Sequence, residues 1–140
     1  MRHHTKDKGD SGLGHIISDL LDHNIQVALP ISEHLPFDLI AISEDNRLRK
    51  ISVKFRRAVK EAIRVQGRSS WSDKKGVHVV VHEKGLYDAL ALYCPDTCKC
   101  YYVKSSEFSE SLSLKLVTPK NNQKTGIKMA DKYTDPNRLF

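Results

Sequence analysis

Residues 36–57, PFDLIAISEDNRLRKISVKFRR, constrain the fold more than any other stretch of this chain. Two apolar-rich runs, Phe37 to Ile42 and Leu48 to Phe55, are joined by Ser43, Glu44, Asp45, Asn46 and Arg47, turn formers that can close them as an antiparallel hairpin. Side chains alternate faces along a strand, so Asp38 shares a face with Ile40 and Ile42, while Lys50, Ser52, Lys54 and Arg56 share one on the second strand. A carboxylate at the start of one strand and a lysine near the end of its partner then meet at one end of a sheet. A plain Asp38–Lys54 ion pair is the alternative to a chemical role for the two.

The flanking pattern is that of an α/β protein. Leu13, Ile16, Ile17, Leu20 and Leu21 recur at helical spacing behind Asp10 or Ser11 as cap, with Gly12 and Gly14 weakening the first turn and Asn24 placed to end the helix. Ile25 to Leu29 reads as a strand closed by Pro30. Beyond the hairpin come an amphipathic pattern at Ala58, Val59, Ala62, Ile63 and Val65, and a lone Trp71. A β-branched run follows at Val77 to Val81, which puts His78 and His82 on a strand rather than at metal-binding spacing. Leu86 to Tyr93 and Lys99 to Lys104 form a second hairpin around the cysteines. A short helical turn is expected at Ser105 to Glu110, a strand at Ser111 to Leu116 and a helical end at Ala130 to Tyr133. The order helix, strand, hairpin, with central strands apolar on both faces, predicts a mixed sheet covered by helices. The chain suits one domain over 1–140, loose at 1–8 and 134–140.

Charge narrows the partner. Residues 47–75 carry eleven Lys or Arg against Glu61 and Asp73, a local charge of +9, whereas the remainder carries −3. A positive field concentrated beside Asp38 and Lys54 suits a phosphate backbone. No run approaches the ~18 apolar residues of a membrane span, and no secretory leader is evident, so a soluble cytoplasmic protein is expected. Cys94, Cys98 and Cys100 are an odd set of free thiols without zinc-site spacing.

Pro36-Phe37-Asp38 followed by Ser52-Val53-Lys54 resembles the PD-(D/E)xK nuclease motif. Lys6 to Asp10 ahead of a helix, the strand running into Phe55-Arg56, Tyr93-Cys94-Pro95 and Pro119 to Gln123 make the chain similar to the small endonucleases of this fold encoded within or near group I introns. The resemblance implies a restriction-endonuclease-like α/β core and hydrolysis of phosphodiester bonds in double-stranded DNA. Mg2+ or Mn2+ is the implied cofactor, in a homodimer or homotetramer. It assigns Asp38 to metal binding, Lys54 to orienting water and balancing phosphate charge, and Ser52 to the variable metal-side position. Ser52 stands where the family carries Glu, Asp or Gln, and Leu13 where its first helix carries a glutamate. Asp10, one helical turn earlier, can supply that carboxylate. Arg56, Arg57, Arg64, Arg68, Lys74, Lys75 and Gln123 are the DNA-contact candidates. A DNA-binding protein that has lost its metal site, or a nuclease selective for branched junctions, are the alternatives.

Overall fold

The helix α1 spans His4–Asp22 and buries Gly12, Ile16 and Leu20, with Leu13 and Ile17 packed beside them. The computed structural model describes residues 4–66, 68–81, 85–121 and 126–140, giving the backbone alone for 68–73 and 77–81. α1 starts before Asp10 and Ser11, the expected caps, because the glycines do not interrupt it. A Cβ on Gly12 would lie 3.3 Å from the Phe55 Cβ, so the missing side chain lets the helix approach the sheet closely. Asn24 ends the helical turn at φ 61°, as expected of a left-handed cap.

Among the described residues ten strands follow, β1 (Gln26–Ala28), β2 (Leu39–Ile42), β3 (Leu48–Phe55), β4 (Ala62–Gln66), β5 (Arg68–Asp73), β6 (Gly76–Val81), β7 (Ala89–Cys94), β8 (Lys99–Lys104), β9 (Ser111–Lys115) and β10 (Lys128–Met129). The main sheet has the order β1-β2-β3-β7-β8, antiparallel except where β3 and β7 run parallel, which makes it the expected mixed sheet. β7 is buried at all six positions. Its alternation sends Ala89, Ala91 and Tyr93 into the core under α1, and Leu90, Leu92 and Cys94 into a second core on the opposite face.

That second face is covered by a three-stranded sheet, β10-β9-β4, where a helical layer was expected. The residues explain the difference. Val65 is buried between exposed Arg64 and Gln66, and Leu112 and Leu114 alternate with more exposed serines and lysine, a period of two that suits a strand and cannot line one side of a helix. β5 and β6 pair with each other as a separate two-stranded sheet. The thiols are free, Cys94 buried and Cys98 exposed; burial, with the Asp19 charge adding to it, pushes the half-buried Cys100 up to about 12, so it stays protonated.

The C-terminal segment, expected to fray, is packed. Asp135 caps a 3-10 turn at Pro136–Leu139, and Leu139 is buried in the core under α1. Arg138 donates to both Glu107 oxygens at 2.6 Å and to the Tyr102 carbonyl at 2.9 Å. Arg49 and Arg47 donate to the carbonyls of Leu139 and Phe140, so these two cations serve the fold at the turn end of the hairpin.

The guanidinium of Arg138 holds the Glu107 carboxyl below its ordinary 4.5, so folding favours the charged form. Stability from this pair is fully present above the unfolded value and is lost as pH falls through the lower folded one. Arg138→Met should therefore cost about 2 kcal/mol at pH 7 in urea titrations, with the gap from the native protein shrinking below about pH 4.

Candidate active site

β2 and β3 pair from Ile42–Leu48 to Leu39–Ile51, one step short of Asp38. The turn at the other end closes as read: the Ser43 N–H donates to the Arg47 carbonyl at 2.9 Å, and Asn46 takes φ 64°. Asp38 continues the ladder by donating its N–H to the Ile51 carbonyl at 2.9 Å, while its Oδ2 accepts the Val53 N–H at 2.6 Å. This contact fixes the carboxylate against the edge of β3 and leaves Oδ1 without a described partner. Lys54 makes no ion pair with it, so the alternative of a plain Asp38–Lys54 bridge is not realised.

Alternation along β3 explains what lies where. Ile51, Val53 and Phe55 pack under α1, whereas Ser52 and Lys54 face the other way, in register with Leu90 and Leu92 of β7. On that side a cleft of about 710 Å³ opens, lined by Asp38, Ser52, Lys54 and Arg56 and walled by Arg64 and Gln66 of β4. Ser52 is only 6% exposed, and among the described residues its hydroxyl has no hydrogen-bond partner; nor has the Lys54 ammonium. A buried hydroxyl left unpaired is costly for folding alone, and both it and the half-buried Lys54 ammonium are available to a ligand in the cleft.

The other candidates divide. Arg56 and Arg64 reach the cleft, Arg64 steadied by donating at 2.6 Å to the Val59 carbonyl. Lys60 and Glu61 between them hold left-handed conformations, φ 50° and 61°, to make the turn into β4. Arg57 lies outside the cleft, 3.6 Å from Asp96. Lys74 and Lys75 are exposed at the β5–β6 turn. The Arg68 side chain and all of Gln123 and His82 lie outside the described residues. Asp10 lines a smaller cleft of about 320 Å³ with Asp38, Lys6 and Leu13, so Asp38 borders both hollows. Leu13 at the helix carboxylate position packs against the core.

Gln66 and Tyr87 were not singled out from sequence, yet both line the main cleft, and burial pushes the Tyr87 hydroxyl up. The signal for Gln66 lies in its spacing from Arg64, two apart on a strand, which becomes informative only once that segment is known to be β rather than helical.

The donor set bears on a metal. Among the described residues no group of three or more His, Cys, Asp or Glu side chains is gathered to hold one. A magnesium-type site needs less, because that ion keeps several waters and is often held by one or two carboxylates together with substrate phosphates. Asp38 with its uncommitted oxygen, and the unpaired Ser52 hydroxyl, fit such a site.

Beyond the site itself, nearly all of the chain matches a known family. The family model for PD-(D/E)XK endonucleases matches residues 3–136, and the chain belongs to that family. Among solved structures, it is similar in fold to a bacterial homing endonuclease, I-Ssp6803I, with a TM-score of 0.75 and 19% identity over 96% of this chain and 91% of that one. No curated protein matches the chain. No described helix is long and apolar enough to cross a membrane.

If the Asp38 carboxylate anchors the edge of β3, Asp38→Ala should lower stability by about 0.5–1.5 kcal/mol, the range for an exposed hydrogen bond. Asp38→Asn, whose carbonyl can still accept from Val53, should lose less than half as much, as read by urea denaturation.

Proposed function

We propose that this chain is a divalent-metal-dependent endonuclease that hydrolyses phosphodiester bonds in double-stranded DNA, of the homing type and acting as a homodimer or homotetramer in the cytoplasm. The observation that carries the reading is the uncommitted Lys54 beside the anchored carboxylate of Asp38, in a cleft bordered by Arg56 and Arg64. The homing-type assignment draws on the structural neighbour, and the oligomer on the need of a small module to cover a long site, since one module buries limited DNA surface.

In this reading Asp38 and Ser52 hold a magnesium or manganese ion, with Asp10 contributing across the smaller cleft. The bound ion supplies charge neutralisation at the phosphate and a more acidic water. Lys54 donates to a nonbridging phosphate oxygen and to the attacking water, offsetting negative charge as the water oxygen bonds to phosphorus and one ester oxygen departs as a hydroxyl. Arg56 and Arg64 hold the neighbouring phosphates, which positions the strand without reading its sequence. Arg57, Arg68, Lys74, Lys75 and Gln123 complete the DNA surface.

A second reading is a DNA-binding protein that no longer cuts. Leu13 in the core and the absence of a three-acid cluster among the described residues favour it. Cleavage of a pooled random-duplex library separates the two. The nuclease reading expects cutting with magnesium and none with chelator. Asp38→Asn and Lys54→Met should each lower the rate at least about 100-fold with DNA still bound. Asp10→Asn should raise the magnesium concentration needed for half-maximal cutting. Binding without cutting by the native protein at any metal concentration would leave the second reading.

A further inference from the structure

Hydrolysis of a phosphodiester needs a proton at the leaving oxygen, and the cleft holds few groups able to give one. Arg56 and Arg64 do not release a proton, the Ser52 hydroxyl and the Gln66 amide are too weak as acids, and Asp38 is engaged as an acceptor from the Val53 N–H. Among the described lining residues that leaves Lys54 and Tyr87.

Register sets these two on opposite sides of Asp38. Asp38 stands level with Ser52, one step beyond the Leu39–Ile51 pair, and Lys54 lies two residues further along β3. Tyr87 is held at the other end. Its neighbour Asp88 donates its N–H to the Lys50 carbonyl at 2.8 Å and accepts the Lys50 N–H on Oδ2 at 2.7 Å, which ties it level with Lys50, two residues before Ser52. The Asp88 carbonyl also accepts the Ser105 N–H at 2.9 Å, so this segment is fixed both to β3 and to the turn after β8. The floor of the cleft therefore runs from Tyr87 to Asp38 with Ser52 and on to Lys54. Each two-residue step is about 7 Å along a strand, room for a phosphate group and a side chain.

The phenol is built into this place. Its ring packs against the second core, the residue is half-buried at the cleft, and among the described residues its hydroxyl has no hydrogen-bond partner. Burial pushes that hydroxyl above the ordinary phenol range, so it carries its proton at neutral pH. In phosphoryl transfer the attacking and leaving oxygens lie roughly in line through phosphorus. With Lys54 on the water side, the leaving oxygen falls on the Tyr87 side.

We propose that Tyr87 is a catalytic residue of the cleft, the acid that protonates the departing ester oxygen. The role rests on the nuclease reading and adds to it the source of one proton. The water oxygen bonds to phosphorus and its proton passes to solvent. The P–O ester bond breaks, and the leaving oxygen keeps the electron pair, takes the Tyr87 proton and departs as a hydroxyl. Solvent water then returns a proton to the phenolate. An alkoxide is a stronger base than a phenolate, so the transfer runs downhill.

The test is single-turnover cutting, by the native protein and by Tyr87→Phe, of a duplex site that the native protein selects from a random library. The variant keeps the ring and its packing, and urea denaturation should show native stability. Its cutting rate should fall at least about 100-fold, while the selected duplex is bound as tightly as before in a metal that supports binding but not cutting. The same duplex is then made with sulfur in place of the 3′ or the 5′ bridging oxygen at the cut, and read in Mn2+, which accepts sulfur more readily than Mg2+ does. A thiolate leaves without a proton. One of the two sulfur duplexes should therefore be cut equally fast by both proteins, and which one it is identifies the bond that breaks.

Equal rates for the two proteins on the all-oxygen duplex would overturn the proposal. So would a loss that persists on both sulfur duplexes, which would make Tyr87 a residue that positions the strand, and so would a loss confined to binding. A native protein that cuts no duplex removes the nuclease reading itself, and is told apart from failure of the tyrosine because each of those three results needs a native protein that cuts.

Discussion

Everything in the site depends on the two-faced alternation of β3 and on the register that pins Asp38 to it. Ile51, Val53 and Phe55 bury under α1, which holds the strand in place, and the same geometry forces Ser52 and Lys54 onto the opposite face. The Val53 N–H then takes the Asp38 carboxylate at 2.6 Å. A slip of one residue between β2 and β3 would exchange the two faces and send Lys54 into the apolar core. Core packing and site chemistry are therefore fixed by one set of strand hydrogen bonds.

The cleft exists because the second layer is a sheet of its own. β4 and β9 cover Leu90, Leu92 and Cys94 of the central strand, and the exposed positions of β4, Arg64 and Gln66, border the hollow above Ser52. Basic residues divide between two tasks on this plan. Arg47, Arg49 and Arg138 tie the C-terminal turn to the body, while Arg56 and Arg64 face the cleft. The local charge of +9 thus overstates what a phosphate would meet, since part of it is committed to main-chain carbonyls.

Where the sequence was legible, local rules coincided with tertiary packing. The hairpin around Asn46, the cap at Asn24, the buried run of β7 and the β7–β8 hairpin all follow from turn residues and period-two patterning that packing reinforces. Reading failed where one pattern admitted two periods or where a residue acted through a distant partner. Ala58 to Val65 carried an amphipathic signal that resolved into a turn and a strand, and this hid Gln66. Gly12, which weakens an isolated helix, is accommodated because Phe55 packs against it, a contact invisible in local sequence. The C-terminal turn read as loose because its anchors, Glu107 and the Tyr102 carbonyl, lie some thirty residues away in the chain. Asp38, Ser52, Lys54, Arg56 and Arg64 do line one cleft, whereas Asp10 meets Asp38 only in the adjoining smaller one.

In the proposed nuclease the phosphodiester sits against Lys54. The most direct measurement is amine-specific acetylation of the protein, free and bound to its selected duplex in a metal that supports binding but not cutting, read residue by residue by mass spectrometry. Lys54, which has no described partner in the free protein, should become protected in the complex, while Lys99 of the β7–β8 hairpin, outside the cleft, should be modified equally in both. Equal modification of Lys54 in the free and bound protein, with protection elsewhere, would place the DNA on another surface and overturn the role proposed for Lys54.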